Sequence, residues 1–125
     1  MYRTDTLYTM TGGPANTERS LYTVFEKAIE KALRNKVKAA GGEAIKFTSP
    51  GTIGVPDRLV LWPGGRAEFV EIKAPGGRLT AIQTFRHEQI RKLGFTVIVV
   101  SNNNEVEDYV LHAKTLSEAL HAKDH

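Results

Sequence analysis

The first third of the chain carries hydrophobic residues at helical spacing. This apolar stripe begins at Leu21 and continues to Ala40, where a Gly-Gly pair supplies a stop signal. The pattern predicts one long amphipathic helix. Residues 1–17 lack such periodicity, so we expect a flexible arm there and a single folded domain over residues 18–125.

Short apolar runs follow the helix and predict three strands. The runs cover residues 43–48, 58–62 and 67–73. A Pro-Gly-Gly-Arg segment separates the second run from the third, which is typical of a hairpin between antiparallel strands.

The rest of the chain predicts a helix, a strand and a last helix. The first of these helices follows Thr80, a plausible N-cap, and ends at Gly94. The apolar run of residues 95–100 predicts a strand buried on both faces, with Phe95 in the core, and residues 106–119 predict the last helix. This order indicates an α/β fold with a mixed central sheet flanked by helices.

Composition narrows the classes of function. The chain has 17 basic and 14 acidic residues and a formal net charge of +3, which permits a polyanionic partner without requiring one. The lack of cysteine excludes disulfides, thiolate catalysis and cysteine-based zinc sites, and it fits a cytoplasmic setting. No stretch approaches the ~20 apolar residues of a membrane span, so we expect no membrane partner.

Two carboxylates and a lysine are predicted to meet at the open end of the hairpin. Asp57 lies seven residues before the Gly-Gly turn, and Glu71 lies six residues after it. Lys73 follows two residues later and shares a strand face with Glu71. Two carboxylates are hard ligands for Mg²⁺ or Mn²⁺, and the Ile72 carbonyl is a further candidate ligand. A lysine beside them can orient a water or stabilise charge on a phosphate.

These residues resemble the PD-(D/E)xK nuclease signature, here Gly54-Val55-Pro56-Asp57 followed by Glu71-Ile72-Lys73. The surrounding sequence is similar to the small VRR-NUC branch of that superfamily, over about 80 residues from the first helix to Phe95. The similar segments also include the Gly-Gly pair after the first helix, residues 46–51 and residues 69–77.

The resemblance implies a restriction-endonuclease-like α-β-β-β-α-β core and a Mg²⁺- or Mn²⁺-dependent DNA endonuclease. It assigns metal binding to Asp57, Glu71 and the Ile72 carbonyl. It assigns the positioning or activation of water to Lys73. The family's glutamine matches Gln83, which would contact the phosphate or the lysine.

The first helix offers Glu26 and Glu30 as the third acidic group, and both lie on one helix face. Periodicity does not choose between them, whereas the register of the resemblance favours Glu30, which lies eleven residues before Gly41. Three residues that flank the proposed site are candidate phosphate contacts, although turn and loop roles fit them equally well. They are Lys46, Ser49 and Arg78.

We expect the substrate to be branched DNA, such as Holliday junctions or flaps, because so small a domain has little surface for reading bases. A four-way junction needs two symmetric cuts, so a homodimer is expected. A helicase or a replication or repair protein is a possible further partner. Standalone nucleases of this size resemble those carried by phages, which favours a bacterial or phage-infected cell.

Two other functions stay open at this point. The chain could be a nucleic-acid-binding module that does not cleave or that needs a partner subunit. A sequence-specific restriction enzyme is a third reading, although nothing in the chain resembles an added recognition domain. The four histidines show no metal-ligand spacing, and we expect all of them at the surface. They are His87, His112, His121 and His125.

Overall fold

A computed structural model describes residues 14–123, with side chains over residues 20–120. The described elements follow one another in the predicted order. They are α1 (Pro14–Ala39), β1 (Glu43–Lys46), β2 (Arg58–Trp62), β3 (Arg66–Ile72), α2 (Ala81–Lys92), β4 (Val97–Val100) and α3 (Asn103–Lys123). Most of the predicted arm lies outside the described residues. The helix already begins at Pro14, whose fixed φ suits a first helical turn.

The strands form one mixed sheet in the order β1-β2-β3-β4. The pairs β1–β2 and β2–β3 are antiparallel, whereas β3 and β4 are parallel. A three-residue loop closes the β2–β3 hairpin, in which Trp62 pairs with Arg66, as predicted. The crossover that a parallel pair requires contains α2. The predicted α/β fold with a mixed central sheet is confirmed.

Helices α1 and α3 pack on one face of the sheet and form the core with it. Buried apolar side chains come from both helices and from alternate positions of the strands, as the period of two predicts. They include Ile29, Leu33, Val37, Val60, Trp62, Val70, Ile72, Val100, Val106, Val110 and Ala113. Within residues 14–123, no helix is both long enough and apolar enough to cross a membrane.

A buried carboxylate ties α3 to this face of the sheet. The Glu68 Oε1 atom accepts hydrogen bonds from Trp62 Nε1 at 3.1 Å and from the Tyr109 hydroxyl at 2.7 Å. Arg66 Nη2 lies 3.0 Å from Oε2 of the same carboxylate. Burial, followed by the hydrogen bond to Glu68, raises the pKa of Tyr109. The charge is thus paired and hydrogen-bonded, which is the condition for burying it without a large penalty.

Strand β4 is shorter and less buried than the sequence pattern predicts. It begins at Val97 and lies at the edge of the sheet, so Ile98 and Val99 are only half-buried. Phe95 is 48% exposed and packs edge-on against Phe69, with ring centroids 6.0 Å apart. The predicted burial of β4 on both faces and of Phe95 in the core is therefore wrong. Helix α2 covers only part of the second face of the sheet, where Leu61 is also exposed.

The loop before β2 is packed tightly against α2. Gly54 has a φ of +90°, and a Cβ added there would lie 2.7 Å from the Ile82 carbonyl oxygen of α2. Arg86 Nε donates a hydrogen bond to the Ile53 carbonyl at 3.0 Å. These two contacts fix the backbone just before Asp57.

Replacing this glycine should therefore be costly. We expect Gly54→Ala to lower the free energy of unfolding by about 2–4 kcal/mol. The alanine would have to adopt a left-handed φ, and its Cβ would also overlap the backbone of α2. Urea unfolding of the variant checks this. Gly51→Ala is the control, since no heavy atom lies within 4 Å of its added Cβ. Equal losses in the two variants would contradict the tight packing at Gly54.

Candidate active site at the open end of the hairpin

The register of β2 and β3 brings Asp57 and Glu71 together. Arg58 pairs with Val70, so the next residues outward, Asp57 and Glu71, oppose each other at the open end of the hairpin. The Ile72 amide donates a hydrogen bond to Asp57 Oδ1 at 3.1 Å, which holds that carboxylate against the end of β3. The structure thus places the two carboxylates near one end of the hairpin, as the residue count predicted.

Lys73 lies beside Glu71 on the same face of the chain. Its Nζ atom is 3.9 Å from Glu71 Oε2, and the exposed fractions of the two side chains are 17% and 6%. The Lys73 amide donates to the Val100 carbonyl at 3.0 Å, so the pairing with β4 fixes the backbone here. Lys73 therefore presents a positive charge to a largely buried carboxylate.

The electrostatic environment disfavours negative charge on both carboxylates. Burial, and then the charge of Asp57, raises the pKa of Glu71 to about 7, against an opposing effect of Lys73. Burial also raises the pKa of Asp57, although the Ile72 amide and Arg58 oppose the shift. A cation bound near these groups would reverse this balance and favour the ionised forms.

A cavity of about 200 Å³ lies between α1 and the strand ends. Its lining residues are Thr23, Glu26, Lys27, Glu30, Asp57, Arg58 and Ile72. Both candidate glutamates of α1 therefore face the same space as Asp57. Glu26 and Glu30 both reach this cavity because they share one face of α1, as the sequence predicted.

The two glutamates differ in their contacts. Glu30 accepts hydrogen bonds from Arg34 Nη1 at 2.6 Å to each oxygen, and Arg58 Nε lies 3.9 Å from its Oε2. Glu26 is exposed, and its charge contributes to the raised pKa of both Asp57 and Glu71. The choice of Glu30 as the third acidic group stays a prediction.

Gln83 joins α2 to the carboxylates through both ends of its amide. Its Oε1 accepts from the Thr80 amide at 2.9 Å, which forms a capping box together with the Thr80 side chain. Its Nε2 donates to Glu71 Oε2 at 3.4 Å. The family resemblance implies a contact of Gln83 with the phosphate or the lysine, which stays a prediction, and the structure adds its contact with Glu71.

The three candidate phosphate contacts lie in different loops and strand ends. Lys46 is exposed at the end of β1, where it pairs with Arg58. Ser49 is half-buried, and its carbonyl accepts a hydrogen bond from the Thr52 amide at 3.3 Å. Arg78 is exposed in the segment before α2. Their contacts with phosphate stay predictions.

The sequence did not predict a place near the carboxylates for two residues. His87 was expected at the surface and is instead fully buried on α2, with Nε2 3.6 Å from Glu71 Oε1. Arg58 Nη1 donates to the Asp57 carbonyl at 2.9 Å and so links Asp57 to the Glu30 side of the cavity. The four-residue spacing from Gln83 to His87 could have indicated that His87 lies near the site, because it places both residues on one face of α2.

The donor set suits a hard divalent cation. No group of three or more His, Cys, Asp or Glu side chains that could hold a metal ion occurs in the described part of the chain. Asp57, Glu71 and the Ile72 carbonyl instead offer oxygen atoms at one strand end. Magnesium is commonly held by one or two carboxylates while it retains several waters. The residues present therefore fit Mg²⁺ or Mn²⁺.

Comparisons with known proteins indicate a nuclease. No family model matches the chain. A protein of Acyrthosiphon pisum secondary endosymbiont phage 1, named "Putative nuclease p44", is 48% identical over 79 residues, which span 63% of this chain and 85% of that protein. A solved structure described as "VRR_NUC domain" is 33% identical, with a TM-score of 0.65, and the match covers 70% of this chain and 95% of the other.

The raised pKa of Glu71 predicts a pH dependence of stability without metal. In the unfolded chain the carboxyl ionises near its usual pKa of 4.5, whereas in the fold it keeps its proton up to about 7. The folded state thus binds more protons between these values, so its stability should fall as pH rises through this window and then level off. Glu71→Gln should remove this part of the fall.

The measurement is the melting temperature in EDTA from about pH 4 to pH 8. Glu43→Gln is the control, because Glu43 is exposed on β1. It should keep the slope of the wild type. A Glu71→Gln variant whose melting temperature follows the wild-type curve would show that Glu71 does not carry the effect.

Proposed function

Because this chain belongs to the VRR-NUC family of nucleases, we propose that it is a Mg²⁺- or Mn²⁺-dependent DNA endonuclease that cuts branched DNA, such as Holliday junctions or flaps. The observation that carries this proposal is the meeting of Asp57 and Glu71 at the open end of the β2–β3 hairpin, with Lys73 beside them. Two carboxylates and a lysine supply the chemistry that metal-assisted hydrolysis of a phosphodiester needs.

Each residue has a distinct part in this proposal. Asp57, Glu71 and the Ile72 carbonyl would hold the ion, with Glu30 as a further acidic group from α1. When bound, the ion would lower the pKa of a water and neutralise charge on the phosphate. Lys73 would orient the attacking water or stabilise the negative charge that grows on the phosphate oxygens.

The choice of branched DNA rests on the size of the domain. The described residues form one four-stranded sheet with three helices, which leaves little surface for contacts to base edges. Recognition of DNA shape fits such a surface better than recognition of a base sequence. A four-way junction is cut at two symmetric positions, so we propose a homodimer as the acting form.

A cleavage assay tests the whole proposal. The substrates are end-labelled four-way junction, flap, splayed-arm and linear duplex DNA, each with Mg²⁺, Mn²⁺ or EDTA. We expect metal-dependent cutting of the branched substrates that falls by about 100-fold or more in Lys73→Ala, because the water loses its positioning cation. Lys92→Ala, an exposed change at the end of α2, should cut like the wild type.

The other outcomes identify the competing functions. Binding of DNA without cutting under any metal would indicate a module that does not cleave or that needs a partner. Discrete products from linear duplex would indicate a sequence-specific restriction enzyme. Equal cutting by the wild type and Lys73→Ala would remove the lysine from the mechanism.

A pair of variants tests the third acidic group. We expect Glu30→Gln to slow cleavage by about tenfold or more, and Glu26→Gln to slow it less. The reason is that Arg34 and Arg58 hold Glu30 at the cavity, whereas Glu26 is exposed. Rates on the best branched substrate provide the measurement, with DNA affinity as a check on binding. The reverse order of rates would assign the role to Glu26.

A further inference from the structure

Two buried polar groups face each other beneath the proposed site without a hydrogen bond. Neither ring nitrogen of His87 has a hydrogen-bond partner, and neither does Glu71 Oε1. The Nε2 atom of His87 lies 3.6 Å from that oxygen, and His87 is fully buried. The buried Glu68 carboxylate, by contrast, is bonded at both oxygens. Unpaired groups of this kind are uncommon in folded proteins and call for an explanation.

Helix α2 places two side chains around the Glu71 carboxylate. Gln83 and His87 are four residues apart and therefore lie on one helix face. Gln83 Nε2 donates to Oε2 of Glu71, while His87 Nε2 faces Oε1. The carboxylate thus has one α2 side chain at each of its oxygens.

The geometry allows the His87 ring to donate to Glu71 Oε1 through Nε2. A neutral imidazole carries one N–H donor, and an ionised carboxylate only accepts. The distance of 3.6 Å exceeds a normal N–H···O hydrogen bond by about 0.6 Å, and such contacts often shorten when an active site is assembled.

We propose that His87 is a positioning residue that donates its Nε2–H to Glu71 Oε1 and so fixes the plane of that carboxylate. This inference rests on the proposed role of Glu71 in the nuclease site. With Gln83 at Oε2 and His87 at Oε1, Glu71 is held in one orientation by α2. His87 touches neither the DNA nor the reacting atoms.

Three variants separate a hydrogen-bonding role from simple filling of the core. The amide nitrogen of Gln occupies the place of Nε2, so His87→Gln should keep the bond, whereas His87→Asn and His87→Leu should lose it. We expect kcat on branched DNA to fall by about tenfold in the Asn and Leu variants with KM unchanged, and to stay within about threefold in the Gln variant. His112→Gln, an exposed change on α3, is the control.

A measurement without DNA makes the inference independent of catalysis. Nitrogen-15 NMR of the labelled wild-type protein at about pH 8, where Glu71 is ionised even without metal, should show the Nε2–H tautomer for His87, both in EDTA and after addition of Mg²⁺. The Nδ1–H tautomer would overturn the proposal, as would loss of the Nε2 proton on addition of Mg²⁺, which would make His87 a metal ligand.

The kinetic results carry the same weight. Equal kcat values for His87→Gln and His87→Leu would overturn the proposal, provided that thermal unfolding shows both variants folded. If the Leu variant does not fold, the comparison of Gln with Asn and the tautomer of the wild type decide the question. If the wild type cuts no substrate, the proposed function fails, while the tautomer still tests the contact between His87 and Glu71.

Discussion

The short loop that pairs Trp62 with Arg66 sets the register of β2 against β3, and this register determines which side chains meet at the open end of the hairpin. It places Asp57 opposite Glu71. A slip of one residue would turn Glu71 toward the core face, because neighbouring side chains on a strand point to opposite faces. The apolar residues that β2 and β3 bury under α1 and α3 resist such a slip, since it would expose them. The packing of the core thus secures the geometry of the site.

The site also depends on both layers that flank the sheet. From one side, α1 contributes Glu26 and Glu30 to the cavity beside Asp57. From the other side, α2 contributes Gln83 and His87 to Glu71. The strand ends are the place where side chains from both layers reach the same pair of carboxylates. The fold therefore assembles the site from segments that are distant in sequence.

Local sequence patterns were sufficient to predict an element where turn or cap residues marked its ends. The turn residues predicted the hairpin, and Thr80 predicted the start of α2, because turn and cap chemistry act over a few residues. Phe95 and His87 were misjudged for one shared reason. Their burial depends on where α2 lies across the second face of the sheet. The helix packs His87 against that face, whereas Phe95 stays half-exposed beside it. Helical periodicity cannot show this, because the buried position on α2 is a histidine while Phe85 is exposed.

The placement of the single tryptophan has a consequence for spectroscopy. Trp62 is hydrogen-bonded to Glu68 and Tyr109 on the face of the sheet that α1 and α3 cover, whereas Glu71 points to the face that α2 covers. Its fluorescence therefore reports on the α3 layer. Detachment of α2 from the opposite face would leave this emission almost unchanged. An optical experiment that relies on intrinsic tryptophan would record the melting of the core but would not detect rearrangements around the carboxylates.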